Sequence, residues 1–297
     1  MKTSEVIMRI RYLTGYLCSV LWLNTPALGM DINERVALVI GNNAYSTQPL
    51  ANPVNDATDM AEVLKNLGFE LIQSGPVLNA DRRTMHRVLQ TFRERLSTRQ
   101  ALGLFYYAGH GAQFNNQSYL IPVNSAIDTA ADLPIEAITA EAILGQLQSA
   151  GNPVNVLILD ACRDNPFPSA SRSSQRGLAR INAVSGSLIA YSTTPGQVAK
   201  DGAGQRNSPY TAVLKNEIRK PGLSIIEIFN TVGWQVAQNT RNEQVPWITS
   251  SPLPPVSIMG YGVVRELAAP SQSPSRNGAE SISCNDPDPD WWLCVLE

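Results

Sequence analysis

The sequence predicts an α/β fold, a three-layer αβα sandwich in which helices cover both faces of a mainly parallel sheet of roughly six strands. Two features of the chain support this fold class. Short apolar runs such as Arg35–Ile40 and Ala101–Tyr107 are nearly continuous, which is typical of strands that are buried on both faces. Segments of helical length with one apolar face separate these runs, which is typical of parallel strands joined by crossover helices.

The elements are predicted in order along the chain. The first strand ends at Gly41, and the helix that follows has Pro53 in its first turn, Asp56 and Asp59 near its positive end, and Gly68 as its stop. The other predicted strands are 69–73, 101–107, 119–123, 156–159 and 188–191, and the other predicted helices are 81–96, 139–150 and about 224–240.

Residues 1–29 are predicted to be a secretory signal. Basic residues precede a short apolar stretch, and Ala27 and Gly29 are small residues of the kind found at a cleavage site. The alternative is a membrane anchor that stays uncleaved, although the apolar stretch is short for a span. Cleavage predicts an exported protein, periplasmic or secreted, with no membrane partner once the signal is removed.

One domain is predicted for residues 30–265. Residues from about 165 to 182 are rich in Ser and Arg and lack an apolar period, so they are predicted to be an exposed loop between a larger part before about residue 165 and a smaller part at 183–265. Residues 266–297 are a Pro- and Ser-rich linker with a tail that contains Trp, in which Cys284 and Cys294 can pair in an oxidising compartment. A disordered tail is the alternative.

Composition narrows the range of partners. The 297-residue chain has a formal net charge of −2 and 16% charged residues, which argues against nucleic acid as a partner. The chain contains neither of the glycine-rich patterns that bind nucleotide phosphates in α/β domains. Its 2 His residues exclude a site built from several His ligands. The oligomeric state is left open, with a monomer favoured.

Two motifs indicate the chemistry. Tyr106–Gly111 (YYAGHG) contains His110, Leu159–Arg163 (LDACR) contains Cys162, and each motif follows an apolar run. Because catalytic groups collect where the strands of an open α/β sheet end, this His and Cys are a candidate thiol catalyst. Cys18 lies in the predicted signal and the two tail cysteines can pair, so Cys162 is the odd thiol. Considered alone, Cys162 is more often a buried core residue, and His110 is more often a structural residue with its polar atoms satisfied.

These motifs, together with Arg35–Asn42, residues 50–60 (LANPVNDATDM) and NSPYTAVL from Asn207, resemble bacterial caspase-like peptidases of the metacaspase (orthocaspase) type. The resemblance covers roughly residues 33–253, in the order and spacing of that family. It implies a caspase-like fold and a cysteine-type endopeptidase that acts on peptide or protein substrates. The animal caspase signature Gln-Ala-Cys-Arg-Gly is not met, because Asp160 and Asp164 stand in place of its Gln and Gly.

The resemblance also implies roles for individual residues. Cys162 is the expected nucleophile and His110 its proton carrier, with the backbone N–H groups of Gly111 and Cys162 as the oxyanion hole. The missing side chain of Gly111 is expected to let a peptide approach closely. Asp56 and Asp160 are expected to line the main specificity pocket, which then favours Arg or Lys on the acyl side of the cut bond. Without the resemblance, Asp56 simply suits a helix N-terminus and Asp160 a turn.

Two departures from the family concern polar contacts and calcium. Ala108 stands where the family often has Ser, which removes one polar contact from the expected pocket. Many relatives require calcium, but the loop Asp128–Pro134 has no adjacent acidic pair, and a calcium ion takes about six or more oxygen ligands. No cofactor is therefore expected to be required, and only weak calcium binding is left open.

The predicted loop supplies candidate sites of self-cleavage at Arg172, Arg176 and Arg180, because an exposed segment can be extended into a protease cleft. The alternative is that these arginines only keep the loop soluble.

The second candidate function for the whole chain is a non-catalytic caspase-fold module that binds a partner through its pocket or its Trp-containing tail.

Overall fold

The computed structural model describes residues 34–98, 101–162 and 178–259, apart from residues 196, 198, 203 and 255. Its strands are β1 (Glu34–Gly41), β2 (Glu70–Leu71), β3 (Val77–Leu78), β4 (Ala101–Phe114), β5 (Gln117–Leu120), β6 (Ile138–Thr139), β7 (Val154–Cys162), β8 (Ser187–Tyr191) and β9 (Trp247–Ser250). Its helices are α1 (Pro53–Asn66), α2 (Arg82–Ser97), α3 (Leu133–Glu136), α4 (Ala140–Ser149), α5 (Pro209–Glu217) and α6 (Ile225–Asn239).

The main sheet confirms the predicted fold class. Its strand order is β2-β1-β4-β7-β8-β9, in which β1, β4, β7 and β8 run parallel and the edge strand β9 is antiparallel to β8. Strands β5 and β6 continue from the far end of β4 as a small antiparallel ribbon. The site residues predicted on β4 and β7 therefore lie on neighbouring strands in the middle of the sheet.

The two faces of the sheet are covered by different helices. Along β7, Val156 and Ile158 belong to the core cluster that includes α1, α5 and α6, whereas Leu157 and Leu159 belong to the cluster that includes α2 and α4. Successive residues of a strand point to opposite faces, so both sets are buried and the strand has a continuous apolar sequence. This accounts for the apolar runs that predicted a three-layer sandwich.

Helix α1 starts directly against the end of β1, and Gly41 makes this possible. A Cβ atom on Gly41 would lie 2.5 Å from the carbonyl oxygen of Pro53 and 2.5 Å from the Cβ of Ala57. Pro53 occupies the first turn of the helix, as predicted, because its fixed φ suits that position. The close crossing brings the first turn of α1, and with it Asp56, to the carboxyl ends of the parallel strands.

Strand β4 is longer than predicted and contains His110 within it. Its pairing with β1 stops at Ala108 and its pairing with β7 stops at His110, after which it pairs with β5 from Gly111 to Phe114. The prediction that this strand ends at Tyr107 was therefore wrong. His110 nevertheless lies in the last described pair of the parallel part of the strand.

Other boundaries also differ from the predictions. Neither α5 nor β9 was predicted, and the strands predicted at 69–73 and 119–123 are β2 and β5, which are short and end at Leu71 and Leu120. After β2 the chain turns at once, with Gln73 at a φ of 63°. The helices predicted at 81–96, 139–150 and about 224–240 correspond to α2, α4 and α6.

The end of the predicted exposed loop is buried. Leu178, Ala179 and Ile181 are 0%, 3% and 4% exposed, and Leu178 and Ile181 pack in the core cluster beneath the sheet that includes α2 and α4. The expectation of an exposed loop was wrong for these three residues, whereas Arg180 between them is exposed.

Several predictions fall outside the described residues. These are the signal at 1–29, the tail at 266–297 with its Cys284–Cys294 pair, and the loop positions Arg172 and Arg176. Among the helices that the structure describes, none has the length and apolar character needed to cross a membrane.

Candidate active site

The strand register places His110 beside Cys162. Strands β4 and β7 are paired in parallel from Leu102 and Val154 up to these two residues, which form the last pair. Neighbouring strands lie about 4.8 Å apart, so the two backbones are as close as adjacent chains allow. The structure describes Cys162 through its backbone alone.

The His110 ring is held in one tautomer by a backbone carbonyl. Its Nε2 lies 2.7 Å from the carbonyl oxygen of Gln48, and the residue is 2% exposed. A carbonyl oxygen only accepts hydrogen bonds, so Nε2 carries the proton in the neutral ring and Nδ1 has the lone pair. The Tyr45 ring packs against the imidazole, with 4.3 Å between ring centroids. The atom that can take up a proton is therefore Nδ1.

Two tyrosine hydroxyls fix the backbone of His110. Its N–H donates to the Tyr45 hydroxyl at 2.9 Å, and its carbonyl oxygen accepts from the Tyr107 hydroxyl at 2.8 Å and from the Ile121 N–H at 3.0 Å. A Cβ atom on the neighbouring Gly109 would lie 2.6 Å from one of these hydroxyls and 2.7 Å from the other. Glycine at position 109 thus leaves the space in which the two hydroxyls meet.

A side chain at position 111 would point into the core. A Cβ atom there would lie 3.0 Å from the Cβ of Ala161 and 3.0 Å from the Cδ2 of Leu178, and both of these residues belong to the core cluster that includes α2 and α4. Close approach of a peptide to Gly111 stays a prediction, and the structure adds a second reason for glycine at this position. Glycine is needed here because the space is already filled from below by Leu178.

The Gly111 N–H points away from β5. Gly111 pairs with Leu120, and the Ile121 N–H donates to the carbonyl of the preceding His110. In an antiparallel ladder this pattern makes Gly111 and Leu120 a pair without mutual hydrogen bonds. The Gly111 N–H is therefore directed toward the side of β4 on which β7 ends at Cys162.

Asp56 and Asp160 meet at the same end of the sheet, although they come from α1 and β7. Asp56 accepts a hydrogen bond from the Ser208 N–H at 3.0 Å. Asp160 accepts from the hydroxyls of Ser208 at 2.5 Å and Thr211 at 2.8 Å. The two acids are only 1% and 6% exposed. One serine thus holds both carboxyl groups at the start of α5.

This buried acidic pair has raised pKa values. Burial, followed by the charge of Asp160, raises the pKa of Asp56 to about 8. Burial also raises the pKa of Asp160, although hydrogen bonds from Ser208 and Thr211 oppose the rise. Among the residues that the structure describes, no Lys or Arg forms an ion pair with either acid. A positively charged group beside the pair would meet two carboxyl groups that lack a cationic partner among the described residues, and it would favour their ionised form.

Two basic side chains near Asp56 are bound to a different acid. Arg206 and Lys215 lie 2.6 Å and 3.0 Å from the two carboxylate oxygens of Asp59, one helical turn after Asp56. Burial alone would raise the pKa of Asp59, but hydrogen bonds from these two cations lower it to about 2. The charges of Arg206 and Lys215 are thus balanced by Asp59, outside the Asp56–Asp160 pocket.

Asp201 adds a third negative charge near the pocket. Its carboxylate accepts from the backbone N–H groups of Ala51 at 2.6 Å and Asn52 at 3.3 Å, just before α1 begins. Its charge raises the pKa of both Asp56 and Asp160. These bonds hold the segment before α5 against the start of α1.

Four residues that support the site were not among the predicted site residues: Ser208, Thr211, Gln48 and Asp201. Ser208 is the N-cap of α5, with its hydroxyl accepting from the Thr211 N–H, and a Ser before a Pro is a recognised helix start that could have been read from the sequence. Nothing in the sequence marks Gln48, because it acts through its backbone carbonyl.

Of the self-cleavage candidates, only Arg180 lies within the described residues. Its guanidinium lies over the Trp247 ring, 5.9 Å from the centroid, between the buried neighbours Ala179 and Ile181. Arg180 is therefore held in the folded domain on both sides, which does not fit an extended cleavage site.

The acidic loop considered for calcium is used for local capping. The Asp132 carboxylate accepts from the Thr129 N–H and hydroxyl, at 2.8 Å and 3.0 Å, and from the Asp128 N–H at 3.2 Å. No group of three or more His, Cys, Asp or Glu side chains in the described part of the chain is arranged to hold a metal ion.

Comparison with known proteins places this site in a family. A family model described as the caspase domain matches residues 34–256. The mucosa-associated lymphoid tissue lymphoma translocation protein 1 of Homo sapiens and its homologue of Mus musculus are each 29% identical over 131 residues, which are 44% of this chain and 15% of those proteins. The match thus spans a small part of those longer relatives.

Solved structures share the fold. Caspase-1 from Spodoptera frugiperda has a TM-score of 0.54 and 19% identity, over 80% of this chain and 93% of that one. A protein from Geobacter sulfurreducens has a TM-score of 0.51 and 15% identity, over 74% of this chain and 95% of that one. The family match covers most of the sequence, and the chain belongs to the caspase domain family of cysteine peptidases.

Proposed function

We propose that this protein is a cysteine endopeptidase that cuts peptide bonds after Arg or Lys, using Cys162 as nucleophile and His110 as proton carrier. The observation that supports this best is the register of β4 and β7, which pairs His110 with Cys162 two residues beyond Asp160. The backbone of the proposed nucleophile, the imidazole and the acidic pair then lie at one end of one sheet. This is the arrangement that a thiol peptidase with basic specificity needs.

The reaction would begin with proton transfer from the Cys162 thiol to Nδ1 of His110. The thiolate attacks the carbonyl carbon of the substrate, and the negative oxygen that forms is stabilised by the backbone N–H groups of Gly111 and Cys162. The imidazolium then donates its proton to the leaving amine, and a thioester remains. Water attacks the thioester, releases the acyl group as a carboxylic acid and restores the thiol.

The Gln48 carbonyl has a defined part in this scheme. It accepts the Nε2 hydrogen of His110 at 2.7 Å in the neutral ring and stays bonded when Nδ1 takes up a proton. It therefore orients the ring and stabilises the imidazolium without needing a third catalytic side chain. Both ring nitrogens are then accounted for in each protonation state.

Basic specificity rests on Asp56 and Asp160. A buried pair of carboxyl groups without a cationic partner favours a positively charged ligand. It binds a guanidinium or ammonium group of a substrate more readily than it binds a substrate carboxylate. An Asp side chain in the same pocket would add a buried carboxylate to a pair in which the charge of Asp160 already raises the pKa of Asp56, which is strongly unfavourable. The pocket therefore favours Arg or Lys and rejects Asp.

The remaining proposals concern cellular context. The protein is exported to the periplasm or beyond the cell, works without a required cofactor or calcium, and acts as a monomer on peptide or protein substrates. Chelation of divalent ions during the assay tests whether calcium is required, because a calcium-dependent enzyme would lose its activity.

Labelling with matched peptidyl chloromethyl ketones tests the proposed function. An Arg ketone is expected to modify Cys162 stoichiometrically, as located by peptide mass spectrometry, whereas the matching Asp ketone reacts far more slowly. Failure of both reagents to label Cys162 in the folded protein would favour the non-catalytic binding module instead. Faster labelling by the Asp ketone would keep the peptidase but overturn the pocket assignment.

A further inference from the structure

The segment Leu178–Ile181 crosses beneath the strands that carry the site. The Ala179 carbonyl accepts from the hydroxyl of Ser118 on β5 at 3.0 Å, and the Ile181 N–H donates to the Tyr191 hydroxyl at the end of β8 at 2.9 Å. Since β5 pairs with β4 and β8 pairs with β7, this short segment links the strands on either side of the His110–Cys162 pair.

Leu178 lies against Gly111 and belongs to the same core cluster as Ala161, and these two residues adjoin the predicted dyad. It is fully buried, and its Cδ2 fills the space that a side chain on Gly111 would need, next to the Cβ of Ala161. Gly111 directly follows His110, and Ala161 directly precedes Cys162. The peptide units that join these pairs carry the N–H groups of Gly111 and Cys162. Leu178 therefore supports, from the core side, both donors of the proposed oxyanion hole.

We propose that Leu178 is a positioning residue of the peptidase reaction. It holds the two peptide units of the oxyanion hole where their N–H groups can bind the negative oxygen of the transition state. This inference rests on the proposed function. It assigns a role to a residue that touches no substrate and that lies just after the Arg-rich loop. Because side-chain packing sets the donor positions, shortening Leu178 should affect the transition state more than substrate binding.

The test compares Leu178→Ala with Leu147→Ala, a truncation in the same core cluster. Leu147 lies near the end of α4, which precedes the start of β7, whereas Cys162 lies at the other end of that strand. Leu178→Val is a milder second variant in case the alanine chain does not fold. All chains are assayed below their unfolding temperatures with an Arg peptide, and thiol alkylation by iodoacetamide is followed against pH. Alkylation depends on the thiolate and the imidazole but needs no oxyanion hole.

Leu178→Ala is expected to lower kcat by between about tenfold and about a hundredfold, less than loss of a whole oxyanion donor, with KM and the alkylation profile unchanged. Leu178→Val should show the same pattern to a smaller degree, and Leu147→Ala should keep kcat within about twofold. Equal kcat values for the folded Leu178 and Leu147 variants would overturn the inference, as would a parallel loss of alkylation. If the wild type neither turns over the peptide nor reacts with an Arg ketone, the proposed function itself fails, and the inference fails with it.

Discussion

Nε2 of His110 lies 2.7 Å from the backbone carbonyl oxygen of Gln48. Gln48 is an exposed residue with a φ of 54°, in the left-handed region that side chains seldom adopt. The conformation of this one residue therefore aims the carbonyl at the imidazole. A feature of the backbone, rather than a third side chain, orients the proposed proton carrier.

Substitutions at Gln48 should follow backbone preference rather than side-chain chemistry. Gln48→Gly keeps the left-handed conformation readily, so kcat should stay near the wild-type value. Gln48→Val is β-branched and disfavours that conformation, so it should displace the carbonyl and lower kcat by about tenfold. Steady-state kinetics on an Arg peptide measure both. A larger loss for the Gly variant than for the Val variant would show that the side chain matters instead.

The acidic pocket predicts a selective loss in an Asp160→Asn variant. Asparagine keeps the size of the side chain but removes the charge. The fall in kcat/KM for an Arg peptide should therefore correspond to a loss of at least about 2 kcal/mol of transition-state stabilisation. The matched control is Asp59→Asn, which removes an acid already bound to Arg206 and Lys215. Equal effects of the two substitutions on kcat/KM would contradict the assignment of the pocket.

Most of the fold could be predicted from the sequence, but few of the contacts that hold the site residues in place could be. Strands with continuous apolar sequence and helices with clear faces were predicted close to their positions. Helix α5 was missed because it is only 9 residues long and its start at Ser208 was not recognised. The contact between Ser208 and Asp56 joins residues 152 positions apart, and such a contact depends on topology rather than on any local pattern.

The pKa of Asp56 predicts how stability depends on pH. Burial and the charge of Asp160 raise this pKa from 3.8 to about 8, so the folded state holds the proton more tightly than the unfolded state. The resulting contribution to the free energy of unfolding is complete below about pH 4 and is lost as the pH rises through about 8. Urea unfolding of Cys162→Ala between about pH 5 and about pH 9 should therefore show a decline that adding Asp56→Asn makes shallower. Parallel curves for the two chains would contradict the raised pKa.

Self-cleavage, if it accompanies activity, should occur at Arg172 or Arg176 and not at Arg180. Arg180 lies over Trp247 between two buried neighbours, so cleavage there would require the segment to leave the core. N-terminal sequencing of incubated wild-type protein should find chains that begin at Ser173 or Gly177, absent from the Cys162→Ala protein. Chains that begin at Ile181 would contradict this, and an intact chain with full activity would show that cleavage plays no part in activation.

The central claim is that Cys162 and His110 act as one catalytic unit, and it is tested most directly by kcat/KM for an Arg peptide in Cys162→Ala, His110→Ala and the double variant. Each single substitution should remove nearly all hydrolysis while the chain still unfolds cooperatively. The double variant should be no slower than the worse single variant, because residues that act as a unit lose their effect together. Activity near the wild-type level in either single variant, or losses that simply add, would contradict the account.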